Sequence, residues 1–152
     1  MYWQCAAFNE LSLVELYKML ALRSAVFVVE QDCAYQDLDG VDCDPRVFHL
    51  NLWRGQQLIA TARLIGPGVQ APDQVWIGRV AVLYEARGQG LSRQLLQQAL
   101  DKIHHHWPHC AVRLNAQQYV AALYESMGFE VVGETYIEDG IPHQMMELSC
   151  KD

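Results

Sequence analysis

The feature that most constrains the fold is a short glycine turn, residues 87–90, between an apolar run and an amphipathic helix. The run at residues 75–82 is rich in β-branched and apolar residues, which predicts a buried central strand. The helix after the turn places apolar residues on one stripe: Leu91, Leu95, Leu96, Ala99, Leu100 and Ile103. A strand, a glycine turn and a helix in this order aim backbone N–H groups and the positive end of a helix dipole at one point. The segment therefore predicts an anion site.

Three phosphate-binding patterns compete for this turn. A P-loop requires a Lys-Ser/Thr pair after its last glycine, whereas Gly90 is followed by Leu91 and Ser92. A dinucleotide fingerprint requires a third glycine, and Arg93 occupies that position. The third pattern, Arg/Gln-x-x-Gly-x-Gly/Ala directly after a buried strand, is filled by residues 87–92 with serine at the last position. An ordinary strand-to-helix turn without a ligand is the remaining alternative.

The third pattern resembles the coenzyme A pyrophosphate loop of the GCN5-related N-acetyltransferase (GNAT) family. The segments at residues 79–82 and 122–129 also resemble that family. Residues 22–42 contain stretches similar to a small bacterial subfamily, the ElaA-like acetyltransferases, and the whole resemblance extends from residue 22 to residue 128. It implies an α/β (α+β) fold of the acyl-CoA N-acyltransferase type, with a mixed, mostly antiparallel sheet of about seven strands flanked by helices. It also implies a cleft where two central parallel strands splay apart.

Chain length and local patterns add a few expectations about the fold. A chain of 152 residues suits one core, so we expect a single acetyltransferase domain over residues 1–152. A capping box from Ser12 to Glu15 predicts a helix start, with an inner stripe to follow. The predicted members of that stripe are Leu13, Leu16, Tyr17 and Leu20, with Ala21 as a further candidate. Residues 131–134 and 144–148 are predicted to be two closing strands around a turn at residues 138–142.

The resemblance implies that acetyl-CoA is the cosubstrate and that an amine attacks its thioester directly in a ternary complex. It places the pyrophosphate on the amides of residues 88–92 and the pantetheine arm beside the backbone of residues 80–82, where an N–H would donate to the oxyanion. The coenzyme-binding residues that it implies are Val80, Ala81, Val82, Arg87, Gly88, Gln89, Gly90, Leu91, Ser92, Asn115 and Tyr124. Tyr124 also matches the family's usual general acid, which protonates the departing thiolate; simple packing between Ala121 and Met127 is the alternative.

The attacking amine must also lose a proton, because a lysine-type amine is almost fully protonated at pH 7. Many relatives carry a glutamate on the central strand, where this chain has Gly78 and Arg79. The candidate general bases are therefore Glu30, His49 and His143, and each of them has a structural alternative. The sequence leaves the choice among them open.

Five aspartates crowd one loop of the chain: Asp32, Asp37, Asp39, Asp42 and Asp44. A solvated surface loop is the simplest interpretation. An acidic mouth that attracts a cationic amine acceptor by its long-range field is the functional alternative. A calcium loop does not fit, because Val41 stands where an oxygen ligand is needed and Asp42 where glycine is required.

Composition excludes several other functions. A net charge of −7 argues against nucleic acid as the main partner, because phosphate binding needs a basic face. Five scattered cysteines without a C-x-x-C pair predict reduced thiols in a cytoplasmic protein. We expect no signal peptide in residues 1–10 and no membrane span, since no apolar run reaches roughly 18 residues. Consecutive histidines at residues 104–106 point in different directions on a helix, so we expect no metal site.

Two functions therefore remain open at this level. The favoured one is an N-acetyltransferase that acts on the primary amine of a small molecule or a peptide. A non-catalytic acyl-CoA-binding sensor module is the alternative. The identity of the acceptor and the oligomeric state, with a dimer among the options, are not encoded in these patterns.

Overall fold

The computed structural model describes residues 1–150, in which eight strands form one mixed sheet. The strands are β1 (Tyr2–Ala7), β2 (Val47–Arg54), β3 (Gln57–Ile65), β4 (Gln74–Val82), β5 (Ala111–Gln117), β6 (Glu130–Val131), β7 (Tyr136–Glu138) and β8 (Ile141–Leu148). The α-helices are α1 (Leu13–Arg23), α2 (Leu91–His106) and α3 (Ala121–Ser126), and a π-helical segment, Ser24–Glu30, continues α1. The order in the sheet is β1-β2-β3-β4-β5-β8-β6, with β7 also paired to β8.

The pairing confirms the mixed, mostly antiparallel sheet. Among the described strands β4 and β5 are the parallel pair, and the other neighbours are antiparallel. The β4–β5 pairing joins residues 74–77 to residues 111–114 and extends no further, so the two strands separate toward their carboxyl ends. A cleft therefore opens at the centre of the sheet, as the resemblance implied.

The helices α1 and α2 pack against different clusters of the core. The predicted inner stripe of α2 is confirmed, because its apolar residues, with Leu100 half-buried, pack into the main cluster with strands β2 to β5. The predicted stripe of α1 is confirmed for Leu16 and Leu20, which are half-buried against the second cluster. It is wrong for Leu13 and Tyr17, which are 85% and 78% exposed, and for the exposed Ala21. The buried side chains of α1 are instead Met19, Leu22 and Arg23. This face turns inward because the Arg23 guanidinium has buried carboxylate partners, described below.

The ends of the chain differ from the expectation in strand number. The edge strand β1 was not predicted, and it pairs with β2 along its whole length. At the other end, the predicted strand at residues 131–134 is shorter, and β7 adds a further strand before β8. The predicted turn is confirmed: Asp139 and Gly140 both have positive φ, 52° and 76°, and they form the two-residue connection of the β7–β8 hairpin.

Candidate active site

A cleft of about 870 Å³ lies between the separated ends of β4 and β5. Its walls are completed by the start of α2, the π-helical segment and the β7–β8 hairpin. The predicted coenzyme residues that line it are Val80, Ala81, Val82, Arg87, Gly88, Gly90, Leu91, Ser92, Asn115 and Tyr124. Gln89 belongs to the same turn but is not among the lining residues. Of the three candidate bases, Glu30 and His143 line the cleft and His49 does not.

The glycine turn has the conformation that two glycines permit. Gly88 and Gly90 have φ values of +79° and +75°, in the left-handed region that L side chains rarely adopt. Gly90 is the N-cap of α2, and a Cβ built on either glycine would meet nothing within 4 Å. The first amides of a helix have no intrahelical acceptor, and the helix dipole places partial positive charge on them. The turn therefore presents these donors to open space within the cleft.

Arg87 and Glu30 link two walls of the cleft. The Arg87 Nη1 and Nη2 atoms lie 2.6 and 2.9 Å from the two carboxylate oxygens of Glu30. The same guanidinium donates from Nε and Nη2 to the carbonyl oxygen of Val82, at 3.1 and 3.0 Å. This arrangement ties the glycine turn to the π-helical segment and to the end of β4. It also engages both carboxylate oxygens of Glu30 in an ion pair. The structure therefore does not favour Glu30 as the general base.

Strand β4 contains a β-bulge at the mouth of the cleft. Thr61 of β3 pairs with Ala81 and Arg63 pairs with Gly78, so Ala62 stands opposite two residues, Arg79 and Val80. Arg79 has a φ of +49°, a conformation that costs a non-glycine residue roughly 1–2 kcal/mol.

The edge of β4 that faces the cleft has unpaired backbone groups beyond residue 77. The N–H of Leu83 donates to Ile59 of β3, at 2.9 Å. Because backbone groups alternate in direction along a regular strand, the N–H of Val82 faces the opposite edge, where β5 has separated. The Val82 carbonyl, which accepts from Arg87 at that edge, is consistent with this direction. The backbone N–H groups of residues 80–82 remain the predicted donors to the pantetheine arm and to an oxyanion.

Tyr124 lies in α3 with its ring mostly buried at the cleft. The ring packs edge-on against Phe129, with centroids 5.9 Å apart, and belongs to the main core cluster. Burial raises the pKa of Tyr124 to about 12, so the hydroxyl keeps its proton at neutral pH. Tyr124 therefore packs in the core and also lines the cleft, and its role as general acid stays a prediction. Gly128 follows α3 with a φ of +99°, the left-handed conformation that commonly ends a helix.

The two histidines among the candidate bases differ in environment. His143 lies on β8, opposite Gln117 of β5, with Nδ1 2.8 Å from the carbonyl oxygen of Ile141. That contact requires the proton on Nδ1, so a neutral ring has its lone pair on Nε2. His49 is buried in β2 with Nε2 3.1 Å from the carbonyl oxygen of Asp42, and burial lowers its pKa. The structure thus brings His143 to the cleft and keeps His49 in the interior.

Three aspartates of the acidic loop form a network with three arginines. Arg23 contacts Asp37 at 3.0 Å and Asp42 at 2.7 Å, and its side chain is 1% exposed. The other two arginines join the same carboxylates: Arg63 lies 2.9 Å from Asp39 and 3.2 Å from Asp42, and Arg79 lies 2.8 Å from Asp37 and 3.3 Å from Asp39. Three positive and three negative side chains therefore balance.

This network corrects the interpretation of the loop as solvated for two of its five aspartates, whereas Asp32 and Asp39 are exposed as predicted. Asp37 and Asp42 are buried, at 8% and 4% exposure, instead of facing solvent. The acidic mouth also loses its charge, because each of these carboxylates has an arginine partner. Although burial acts to raise it, the pKa of Asp42 is held below its ordinary value by the hydrogen bond and charge of Arg23, and Arg63 does the same for Asp39.

Sequence reasoning missed two further tyrosines of the cleft. Tyr35 donates from its hydroxyl to Asp37, at 2.6 Å, and burial together with this hydrogen bond raises its pKa. Tyr119 lies beyond the end of β5 and is exposed at the mouth of the cleft. The signal for Tyr35 was its position beside Asp37 in the ElaA-like stretch, whereas nothing in the local pattern marked Tyr119.

Within residues 1–150, no helix is both long enough and apolar enough to span a bilayer. Over the same residues, no group of three or more His, Cys, Asp or Glu side chains is placed to hold a metal ion.

Comparisons with known proteins agree with this geometry. A family model described as an acetyltransferase (GNAT) domain matches residues 23–150. The protein ElaA of Escherichia coli strain K12 is 44% identical over 141 residues, which span 93% of this chain and 92% of ElaA. The crystal structure of Escherichia coli ElaA matches with a TM-score of 0.92 at 42% identity, over 98% of this chain and 100% of that one.

A second solved structure is equally similar. The crystal structure of an acyl-CoA N-acyltransferase from Pseudomonas aeruginosa matches with a TM-score of 0.93 and 45% identity, and the match covers 97% of this chain and 99% of that one. The eight-stranded sheet with its central cleft is therefore the acyl-CoA N-acyltransferase fold. The resemblance noted in the two motifs is confirmed over nearly the whole chain: the protein belongs to the GNAT family of acyltransferases, whose cosubstrate is an acyl-CoA.

Proposed function

We propose that the protein transfers an acetyl group from acetyl-CoA to the primary amine of a small molecule or a peptide. The observation that carries the proposal is the convergence of two sets of backbone donors in one cleft. The amides at the start of α2 suit a pyrophosphate, and the unpaired edge of β4 suits the amide groups of a pantetheine arm. Acetyl is the acyl group named by the matching family model.

The proposed chemistry begins with positioning. Pyrophosphate oxygens accept from the amides of residues 88–92, which fixes the coenzyme at the mouth of the cleft. The pantetheine arm then pairs along residues 80–82 like an added strand, and this brings the thioester carbonyl to the bulge in β4. The N–H of Val80 or Val82 donates to the carbonyl oxygen as negative charge develops on it.

Proton transfer completes the proposed reaction. His143 accepts a proton at Nε2 from the ammonium form of the acceptor, and the free amine attacks the thioester carbon. The tetrahedral intermediate collapses by breaking the carbon–sulfur bond, and Tyr124 gives its hydroxyl proton to the departing thiolate. The attacking nitrogen then loses its second proton to form the neutral amide, and a proton returns to the Tyr124 phenolate. Of the three candidate bases His143 is the best supported, because it lines the cleft with a free lone pair. Glu30 has the supporting role of holding Arg87.

A non-catalytic acyl-CoA-binding module is the second candidate. The observation in its favour is that β4 has no carboxylate at the cleft: Gly78 and Arg79 occupy the positions where many relatives have a glutamate. Such a module would bind acetyl-CoA through the same donors without turnover.

One experiment separates the two functions. Acetyl-CoA is incubated with the protein and a panel of amines (L-lysine, spermidine and a lysine-containing peptide), and free thiol is measured against controls without an amine. Amine-dependent thiol release, with the acetylated product found by mass spectrometry, supports the enzyme. Binding of acetyl-CoA with no amine-dependent release over a broad panel supports the module, and absence of any binding contradicts both.

A further inference from the structure

Strand β4 reverses the usual placement of glycine at a bulge. A bulge with a left-handed residue normally carries glycine at that position, because a Cβ is strained there. In this chain the left-handed position is occupied by Arg79, with φ +49°, while the adjacent Gly78 lies outside the left-handed region. The backbone conformation alone therefore does not explain why an arginine occupies this position. The explanation has to lie in the contacts of its side chain.

The Arg79 side chain is held by contacts on several sides. Nε lies 2.8 Å from Asp37 Oδ1, and Nη2 donates to the Asp37 carbonyl oxygen at 3.1 Å and to Asp39 Oδ2 at 3.3 Å. The guanidinium also lies over the ring of Tyr35, 5.4 Å from its centroid. These contacts join the bulge to a loop that is about 40 residues distant in the chain.

The partners of Arg79 are themselves fixed from the interior. The second carboxylate oxygen of Asp37 accepts from the buried Arg23, at 3.0 Å. The Tyr35 hydroxyl donates a hydrogen bond to the first carboxylate oxygen of Asp37, at 2.6 Å. Asp39 is held by both Nη atoms of Arg63, at 2.9 and 3.1 Å. These contacts restrict the position of the Arg79 guanidinium. They therefore also restrict the backbone conformation of residue 79.

We propose that Arg79 is a positioning residue for acyl transfer. Its anchored guanidinium keeps residue 79 in the left-handed conformation, and the resulting bulge directs the N–H groups of Val80 and Val82 into the cleft. Arg79 acts through these donors and not by touching the coenzyme or the acceptor. This inference rests on the proposed function, because it assigns to the bulge the donors that the acyl group uses.

A pair of substitutions at one position tests the proposal. Arg79→Ala and Arg79→Gly both remove the guanidinium, but only glycine adopts the left-handed conformation without strain. The strain that separates alanine from glycine corresponds to about 5- to 30-fold in the population of the bulge. We therefore expect the kcat of Arg79→Gly for thiol release, with the best amine of the panel, to exceed that of Arg79→Ala by about 5- to 30-fold.

A second measurement does not depend on turnover. Residue-resolved hydrogen exchange, recorded with and without saturating acetyl-CoA, reports whether the coenzyme protects the amides of Val80 and Val82. We expect protection in the wild type and in Arg79→Gly, and loss of protection in Arg79→Ala. Thermal melts of all variants establish that they are folded. If Arg79→Ala does not fold, Asp39→Asn, which weakens a half-exposed contact, replaces it and is expected to lower both readouts in the same direction.

The possible outcomes are distinct. Equal losses in Arg79→Gly and Arg79→Ala would overturn the proposal, because the guanidinium itself would then act on a ligand. Full activity and protection in Arg79→Ala would overturn it as well, since no anchor would be needed. If the wild type binds acetyl-CoA but transfers nothing to any amine, the proposed function fails, while the exchange comparison still decides whether Arg79 sets the bulge.

Discussion

Replacing Gly90 by alanine tests whether the space beside the glycine turn is where the coenzyme pyrophosphate binds. Gly90 has a φ of +75°, and a Cβ built on it meets nothing within 4 Å, so the protein alone leaves room for a methyl group. Gly55, in the turn between β2 and β3, has a φ of +58° and equally open surroundings. The two glycines thus share the same backbone strain on substitution, but only Gly90 lines the cleft.

The expected magnitudes separate backbone strain from loss of the ligand. Either alanine variant is destabilised by about 1–2 kcal/mol through its left-handed φ. For a chain of this size that lowers Tm by roughly 2–8 °C. Acetyl-CoA at 100 times its Kd adds about 2.7 kcal/mol to the wild type, which raises Tm by roughly 5–11 °C. If the Cβ of Gly90→Ala weakens binding about 100-fold, the same acetyl-CoA concentration adds only about 0.4 kcal/mol.

The assay is a thermal melt of the wild type, Gly90→Ala and Gly55→Ala, each with and without millimolar acetyl-CoA. We expect both variants to melt earlier without ligand, and only Gly90→Ala to lose the ligand-dependent rise in Tm. A full rise in Gly90→Ala would refute the placement of the pyrophosphate at this turn. A loss in Gly55→Ala as well would show that backbone strain alone impairs binding.

Three further predictions address the proton transfers and the buried charges. Tyr124→Phe is expected to lower kcat by a factor on the order of 10², with the KM for acetyl-CoA nearly unchanged. The control Tyr119→Phe, at the mouth of the cleft, should lower kcat less in the same steady-state assay. His143→Asn keeps a donor in the position of Nδ1 but removes Nε2, so kcat/KM for the amine should fall about 10²-fold at neutral pH and recover as alkaline pH deprotonates the amine in solution. Burial lowers the pKa of His49, so the unfolded chain binds a proton that the folded chain does not. Urea titrations should therefore show stability falling as the pH drops below about 6.5, and His49→Gln should remove that slope.

The parts of the fold that were predictable from the sequence are those set by neighbours in the chain. The strand, the glycine turn and the first turns of α2 are contiguous, and the helical period of the apolar residues in α2 decides which face is buried. The capping box of α1 is likewise local, with the Glu15 N–H donating to the Ser12 hydroxyl oxygen at 3.1 Å. Predictions from these local features identified the correct family and the cleft.

The features that were not predictable depend on partners distant in the sequence. The inner face of α1 is set by Arg23, whose carboxylate partners lie 14 and 19 residues further along the chain. The helical period alone favoured a buried stripe that begins at Leu13, because an arginine is expected at the surface when its partners are unknown. The same holds for Arg79, because nothing in the local sequence indicates that a non-glycine residue takes a left-handed φ.

The charge balance of the network changes where a preference for a cationic acceptor could arise. Asp37, Asp39 and Asp42 are matched by three arginines, so together they exert little field in the cleft. Glu30 is likewise matched by Arg87. The acidic side chains of the cleft wall that remain are Glu138 and Asp139, at the tip of the β7–β8 hairpin, with the Glu138 carboxylate 3.8 Å from Nε2 of His143. Carboxylates there attract an incoming ammonium group by their negative field. The β7–β8 hairpin therefore offers the unmatched acidic side chains for attracting a cationic acceptor, a task that the sequence had suggested for the aspartate loop.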